Sequence, residues 1–370
     1  MNYRQKIKDI LKKVNKSTYL EYLYKELKKY KYICVFGAGN VGQSTVEELQ
    51  QNGIKVNFLC DNDKNKVGNL YKGKICISVD ELIEKKEETV VIIATRYYKN
   101  IYNQLTMLGV NNIKRVFVNK FYIDDYIYNN DVQIIEKKLI EVIDILEDEE
   151  SKRILTRIVE EWITHENEYG QLDDICTGDQ YFSKDIVDFS ENEVFIDAGA
   201  YIGDTAHEFL EKCKYKFKEL LLFELNKNNY ERLLININKY DNEIRDKIKV
   251  FNLGLSNEEK EVYCSDDDEG SSICEFGDIR SKVIDIDRIL ENKKVTFIKM
   301  DIEGFELNAL EGAKDTIKKY RPKLAICLYH KPQDLWEIPL FIKSIDSNYK
   351  IFIRHHTDLL NETVCYAIPK

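Results

Sequence analysis

The sequence predicts an α/β protein in two parts: a small parallel-sheet module, then a larger doubly wound, mostly parallel sheet of seven strands. Three observations predict it. Short apolar runs alternate with stretches of helical periodicity from about residue 32 onward. Two of those runs enter a glycine turn followed directly by a helix-compatible segment, at 32–51 and at 194–213. The last two runs, 351–355 and Thr363–Ile368, read as an antiparallel hairpin that closes the larger sheet. A length of 370 residues suits about two domains.

Composition narrows the classes. With 44% hydrophobic and 32% charged residues the chain is globular rather than disordered. A net charge of −10 argues against sequence-independent nucleic-acid binding, which needs a basic surface. Nine cysteines without a C-x-x-C pair argue against a disulfide scaffold or a zinc site. The first residues hold no continuous apolar core, and no run approaches a membrane span, so neither a secretory signal nor a transmembrane segment is expected. The cytoplasm is the simplest location, and a homo-oligomer is left open.

Residues 1–31 form a helical segment. Apolar positions Ile7, Ile10, Leu11 and Val14, then Leu20, Leu23, Tyr24 and Leu27, have helical spacing with a break near 15–17. Residues 32–122 form the first module. Tyr32–Phe36 is a buried-type strand that runs into G-A-G-N-V-G at Gly37, Gly39 and Gly42, then a helix over 44–51 and a strand over 55–60 ending at Asp61. In G-x-G-x-x-G the glycines allow a tight turn and close approach of a phosphate, and an acidic residue about 20 positions on can take ribose hydroxyls. This is a Rossmann-like half. Gly37, Gly39, Gly42 and Asp61 are a candidate site for a nucleotide, a nucleotide-sugar or NAD; a purely structural module is the equal alternative. A helix over 79–86, a strand over 89–94, a helix over 98–108 and a last strand over 116–118 complete the module. No histidine and no Ser-Tyr-Lys set accompanies it, which counts against a dehydrogenase.

Residues 123–169 form a helical linker. Ile135, Leu139, Val142, Ile143 and Leu146 mark one helix, and Ile154, Leu155, Ile158, Val159 and Trp162 a second. The turn falls at 148–151, with Ser151 as candidate N-cap.

Residues 170–370 form the second domain. Asp179-Gln180-Tyr181-Phe182 lies in a polar loop, and the strand at 194 leads into F-I-D-A-G-A-Y-I-G-D-T. Strands follow at 220–223, ending at Glu224, and at 248–252, ending at Leu253-Gly254-Leu255-Ser256. A short extra strand at 261–264, an Asp/Gly/Ser-rich loop at 265–278 and a short helix at 283–290 come next. A strand over 295–300 ends at Asp301-Ile302-Glu303-Gly304; one helix over 306–320, a strand over 324–329 and a helix over Asp334–Ile345 precede the hairpin.

In such a sheet ligands bind beyond the C-terminal strand ends, near the point where strand order reverses. Asp197, Glu224, Asn252–Ser256, Asp301, Glu303, Tyr329, His330, His355 and His356 all fall at those ends. A packing module does not need polar residues at consecutive strand ends, so this is read as an active-site rim. Glu224 is placed to take both hydroxyls of a ribose.

The motifs I-K-M-D-I-E-G-F-E, F-I-D-A-G-A-Y-I-G-D-T, D-Q-Y-F and K-L-A-I-C-L-Y-H-K-P-Q-D-L-W-E-I-P together resemble the FkbM family of methyltransferases, over roughly 135–370. The resemblance implies the class I methyltransferase fold: a seven-stranded, doubly wound, mostly parallel sheet with an antiparallel C-terminal hairpin. Residues 32–120 in turn resemble, at the level of fold, the small N-terminal Rossmann-like modules attached to bacterial sugar and polysaccharide enzymes. The FkbM resemblance implies S-adenosyl-L-methionine as cofactor and transfer to an oxygen, often on a sugar or glycan, as in surface-polysaccharide biosynthesis. Carried onto this chain, the cofactor-binding set is Asp197, Ala198, Gly199, Ala200, Gly203 and Thr205, with Glu224, Leu225 and Gly254. Asp301 and Glu303 fall at the reacting centre.

A hydroxyl acceptor needs a base within hydrogen-bond reach. Asp301, His330 and His355 compete for that part, and Glu303 is either a reacting group or a carboxylate serving the next helix. Hard ligands from Asp301, Glu303 and a histidine are an alternative that the spacing does not support, so no metal is assigned. Residues 266–269 are a solvated loop or a lid, with Ser271 and Ser272 facing the acceptor. Two rival functions remain: a nucleotide-sugar NAD-dependent oxidoreductase or isomerase built on Gly37–Gly42, and a non-catalytic scaffold.

Overall fold

The structure is a computed structural model that describes residues 2–14, 19–95, 97–114, 116, 118–163, 172–264, 273–274, 279–291 and 293–370. The expected break at 15–17 and the loop holding 266–269, Ser271 and Ser272 lie outside the described residues. The chain divides into two compact units, Ile10–Val132 with Glu160–Gln171, and Met1–Asp9 with Gln133–Val159 and Leu172–Lys370.

The first unit is built on six strands: β1 (Tyr32–Phe36), β2 (Phe58–Cys60), β3 (Leu70–Tyr71), β4 (Lys74–Ile77), β5 (Thr89–Ile93) and β6 (Ile113–Lys114). Their order is β3-β4-β2-β1-β5-β6, and every pair except β3–β4 is parallel. Alternate residues of one strand enter different cores. Val35 packs with Leu23, Leu27 and Val90, while Cys34 and Phe36 pack with Leu82, Val91 and Leu105. Two expectations change here. The last strand is Ile113–Lys114, in parallel register with Val91 and Ile92, and Val118 opens a helix, Val118–Asn129. The strand expected over 55–60 narrows to Phe58–Cys60.

The second unit carries a seven-stranded sheet of β7 (Val194–Ala198), β8 (Glu219–Phe223), β9 (Ile248–Phe251), β14 (Phe297–Met300), β15 (Lys323–Cys327), β16 (Lys350–His355) and β17 (Thr363–Ile368). Their order is β16-β17-β15-β14-β7-β8-β9, with β17 alone reversed. Four central strands, β7, β8, β14 and β15, are almost wholly buried, which is why they read as apolar runs, broken inside only by Asp197 in β7 and Lys299 in β14. Phe182, Phe195, Phe209 and Phe297 form an aromatic cluster on one face, with Phe195 and Phe297 stacked at 4.9 Å.

Between β9 and β14 the chain builds a second sheet of β10 (Gly254–Leu255), β11 (Lys260–Cys264), β12 (Ile273–Cys274) and β13 (Ile279–Ile284), in the order β10-β13-β11-β12. The short helix expected over 283–290 is therefore wrong at its start. Val283 and Ile284 pair with Gly254 and Leu255, and the helix, Ile286–Leu290, begins only after Asp285 accepts the Arg288 N–H. The single helix expected over 306–320 is two, Glu306–Glu311 and Lys314–Tyr320. Gly312 lies where they divide, and a Cβ there would meet the Ser256 carbonyl oxygen at 2.1 Å, so the loop after β10 presses on the backbone at that point. Ser151 is not an N-cap. It lies inside the helix Glu149–Ile163, its N–H bonds Asp148 Oδ1 at 2.7 Å, and its hydroxyl accepts from the Ile353 N–H and from Arg354. Among the described residues no helix is long and apolar enough to cross a membrane.

Candidate functional site

The order of the large sheet reverses between β7 and β14, and a cavity of about 110 Å³ opens beyond their C-terminal ends, where ligands bind in such sheets. Gly199 and Tyr201 after β7, Phe223 to Leu225 at the end of β8, Leu253 to Leu255 around β10, and Asp301 to Glu303 after β14 line it, with Asn229 and Phe305. Gly199 has φ +79°, and a Cβ there would lie 1.8 Å from the Asp301 carbonyl oxygen. Only glycine lets the turn meet the end of β14 so closely. Four non-glycine residues around the site also hold positive φ: Tyr181 (64°), Tyr201 (49°), Glu303 (56°) and Glu362 (63°). Each costs roughly 1–2 kcal/mol, and such strain gathers where side chains must be aimed.

Glu224 is buried and its two oxygens accept the N–H groups of Tyr201 and Asn226, each at 2.8 Å. Burial pushes its carboxyl up to about 7 despite those bonds. A carboxylate has more lone pairs than these two bonds use, and Glu224 stays on the cavity wall.

Asp301 is the hub of the opposite wall. The Tyr181 hydroxyl donates to its Oδ2 at 2.6 Å and the Tyr329 hydroxyl to its Oδ1 at 2.9 Å. Burial opposes its charge, but Lys299, His330 and the two tyrosines hold the carboxyl below its usual range. His330 lies behind it, with Nε2 3.4 Å from Asp301 and 3.5 Å from Glu303, and Nδ1 2.9 Å from Glu306. Burial disfavours the imidazolium, yet the carboxylates of Glu306, Asp301 and Glu303 outweigh it and push the ring up to about 10. Glu303 is the more open carboxylate, its side chain 40% exposed against 23% for Asp301.

The cavity thus brings together Gly199, Glu224, Leu225, Gly254, Asp301 and Glu303, with His330 touching the last two. Other expected residues stand elsewhere. Asp197 is fully buried and pairs with Lys299 at 2.9 Å instead of facing the cavity. Lys299 also donates to the Gly199 carbonyl at 2.7 Å, so the pair anchors the glycine turn from beneath. Burial lifts Asp197 to about 6, and Asp197 in turn holds Lys299 charged. Ala198 ends β7 in the core, and Ala200 joins the apolar cluster. Gly203, at φ +92°, starts the helix Asp204–Lys212 against Leu233, and Thr205 is buried in its first turn. His355 is enclosed in the hairpin with Nδ1 2.8 Å from the Thr363 hydroxyl, and burial lowers it to about 4; it is not on the cavity wall.

Sequence reasoning gave no role to Lys299, Tyr181 or Glu306. Tyr181 lies in the quoted D-Q-Y-F motif and Lys299 and Glu306 in I-K-M-D-I-E-G-F-E, so the signal was present without an assigned part.

In the first unit a Cβ on Gly37 (φ +114°) would meet the Ala94 carbonyl oxygen at 2.5 Å, and one on Gly42 the Gly37 oxygen at 1.6 Å, while Gly39 has nothing within 4 Å. Asp61 accepts the N–H groups of Ala38 (2.8 Å) and Asp63 (2.9 Å) and pairs with Lys66 at 3.1 Å. Its carboxylate is committed to the loop itself rather than held open for a ribose.

Residues 197–357 match the methyltransferase FkbM domain, and residues 28–116 match the domain described as C2185-like, N-terminal. The match over residues 197–357 supports a methyltransferase role. A solved methyltransferase FkbM from Methylobacillus flagellatus KT is 23% identical, with 99% of each chain covered and a TM-score of 0.77, so the fold is shared along the whole length. Partial likenesses include an rRNA methylase from Streptococcus thermophilus (10% identical, 49% of this chain and 88% of that chain, TM-score 0.33). Another is fibrillarin from Aeropyrum pernix with natively bound S-adenosyl-L-methionine (11% identical, 50% and 71% covered, TM-score 0.31). No curated protein matches the chain.

Proposed function

We propose that the chain is an S-adenosylmethionine-dependent O-methyltransferase whose acceptor is a hydroxyl of a sugar or glycan. The observation that carries this is the cavity at the strand-order reversal, with a glycine turn and Glu224 on one side and Asp301 and Glu303 on the other. The strand order, with β17 alone reversed, supports reading the sheet as the class I layout.

The residues present fit the cofactor. Glu224 keeps acceptor capacity for ribose hydroxyls after its two backbone bonds. Leu225, Leu253 and Leu255 give a slot for a flat apolar ring, and at Gly254 a Cβ would meet Leu225 and Val283 at 3.0 Å each. Asp301 and Glu303 bring negative charge to a cavity that must hold a cationic sulfonium. When bound, S-adenosylmethionine supplies the electrophilic methyl group.

The chain's own residues then orient the acceptor and take its proton. Alignment supplies much of the rate in an in-line transfer, so rigid walls matter more than strong acids or bases. Tyr181 and Tyr329 lock Asp301, and Lys331 holds the Gly304 carbonyl of the same turn. Asp301 has both oxygens engaged, whereas Glu303 is the more exposed carboxylate on the wall. Glu303 therefore receives the acceptor's proton, with Asp301 and His330 positioning it. The resemblance to the FkbM family supports an oxygen acceptor on a sugar. Incubating the protein with labelled S-adenosylmethionine and a glycan extract tests this. Label in a methyl ether of one sugar is the expected result; label found only in nucleic acid or protein fractions contradicts it.

A further inference from the structure

We infer that Asp301, Glu306 and His330 form a binding site for one divalent transition-metal cation, such as Mn²⁺, at the inner wall of the cavity. Each of the three offers one ligand atom, and these atoms lie within 4.8 Å of one another. They come from separate places: Asp301 follows β14, Glu306 opens the next helix, and His330 follows β15. Two carboxylates and one imidazole are donors for Mn²⁺, Fe²⁺ or Zn²⁺ rather than for Ca²⁺, which takes oxygen alone.

A second observation is independent of that grouping. The Glu306 side chain is fully buried, and its Oε2 has no hydrogen-bond partner among the described residues. Its Oε1 already accepts the Ile302 N–H at 2.8 Å. A buried carboxylate oxygen without a donor is costly, and a cation relieves that cost directly.

The charge around the cluster points the same way. Asp301, Glu303 and Glu306 surround one imidazole. The two nearby lysines are engaged, Lys299 with Asp197 and Lys331 with the Gly304 carbonyl. Tyr181 and Tyr329 orient Asp301 as outer groups orient metal ligands, and they leave its oxygens with further lone pairs.

The site's catalytic meaning rests on the methyl-transfer reading; cation binding does not. Asp301 lies on the cavity wall and would bring a bound ion next to the acceptor. The ion would supply a Lewis acid that makes an acceptor hydroxyl easier to deprotonate, with Glu303 as the group that takes the proton.

Chelator-treated full-length protein titrated with Mn²⁺, followed by electron paramagnetic resonance, tests the site. One tight site per chain is expected, with histidine-nitrogen coupling in the spin-echo spectrum. Glu306→Gln and His330→Gln, checked for folding by circular dichroism, should each weaken binding by about tenfold or more. No retained Mn²⁺, no nitrogen coupling in the wild type, or unchanged affinity in both folded variants overturns the inference. The wild-type nitrogen signal decides the matter even if neither variant folds. A parallel titration with S-adenosylhomocysteine separates the two claims: Mn²⁺ binding without it sinks the methyl-transfer reading alone, and the reverse sinks the cation site alone.

Discussion

The two glycine turns of this chain obey the same geometry and lead to different chemistry. After β1, Gly37 packs against the carbonyl of Ala94, at the end of β5; after β7, Gly199 packs against the carbonyl of Asp301, at the end of β14. In both units the acidic residue after the neighbouring strand, Asp61 or Glu224, accepts an N–H from the turn. What differs is the far side. Ala94 offers no polar side chain where Asp301 and Glu303 offer two carboxylates backed by His330, Tyr181 and Tyr329. A glycine turn therefore reports how closely two strand ends meet, and the residue at the second strand end reports what the site can do.

The largest effect expected from this comparison is beneath the second turn. Lys299→Met leaves Asp197 buried without its partner, which costs about 3–5 kcal/mol. Urea unfolding should show that loss, and adding Asp197→Leu should restore much of it; a loss below about 1 kcal/mol would mean the pair does not anchor the turn. Next come the glycines themselves. Gly199→Ala forces a side chain onto a carbonyl oxygen and should abolish binding of S-adenosylhomocysteine, whereas Gly37→Ala should lower stability and leave that binding unchanged. Equal effects on binding would erase the distinction between the turns.

Much of this was readable in the residues. The central strands are buried on both faces, so β7, β8, β14 and β15 appear as apolar runs, and Glu224, Asp301 and Glu303 are the polar residues that end them. Of the small sheet only β11 was readable, as the short strand at 261–264, because β10 and β12 are two residues each and gain their definition from β13 and β11. The break at Gly312 depends on Ser256, far away in sequence. Lys299 received no part from the sequence, because its burial depends on Asp197 on the adjacent strand. Tyr181 reaches Asp301 across 120 positions, a contact no local pattern encodes. His355 looked like a base at a strand end, and it is a packed, neutral side chain of the hairpin.

A smaller effect concerns Asp61 and Glu224. Glu224→Ala should weaken S-adenosylhomocysteine binding by about tenfold, the worth of one or two hydrogen bonds to a charged group, and Asp61→Ala should not change it. The smallest is pH dependence. Glu224 titrates near 7 in the folded chain, above its ordinary value of 4.5, so its contribution to stability is full below about 4.5 and is lost as pH rises through about 7. Binding runs the other way, because the ionised form is the better ribose acceptor. Affinity should fall severalfold from pH 8 to pH 6, and the fall should vanish in Glu224→Gln; a flat profile in the wild type would remove Glu224 from the ribose site.

The central claim is that the cavity at the β7–β14 reversal, and not the first glycine turn, holds the methyl donor. Calorimetric titration of the folded full-length chain with S-adenosylhomocysteine tests it most directly. The account predicts one site per chain that Glu224→Ala weakens and Gly37→Ala leaves intact. Absence of binding by the folded wild type, or binding lost through Gly37→Ala alone, would contradict it.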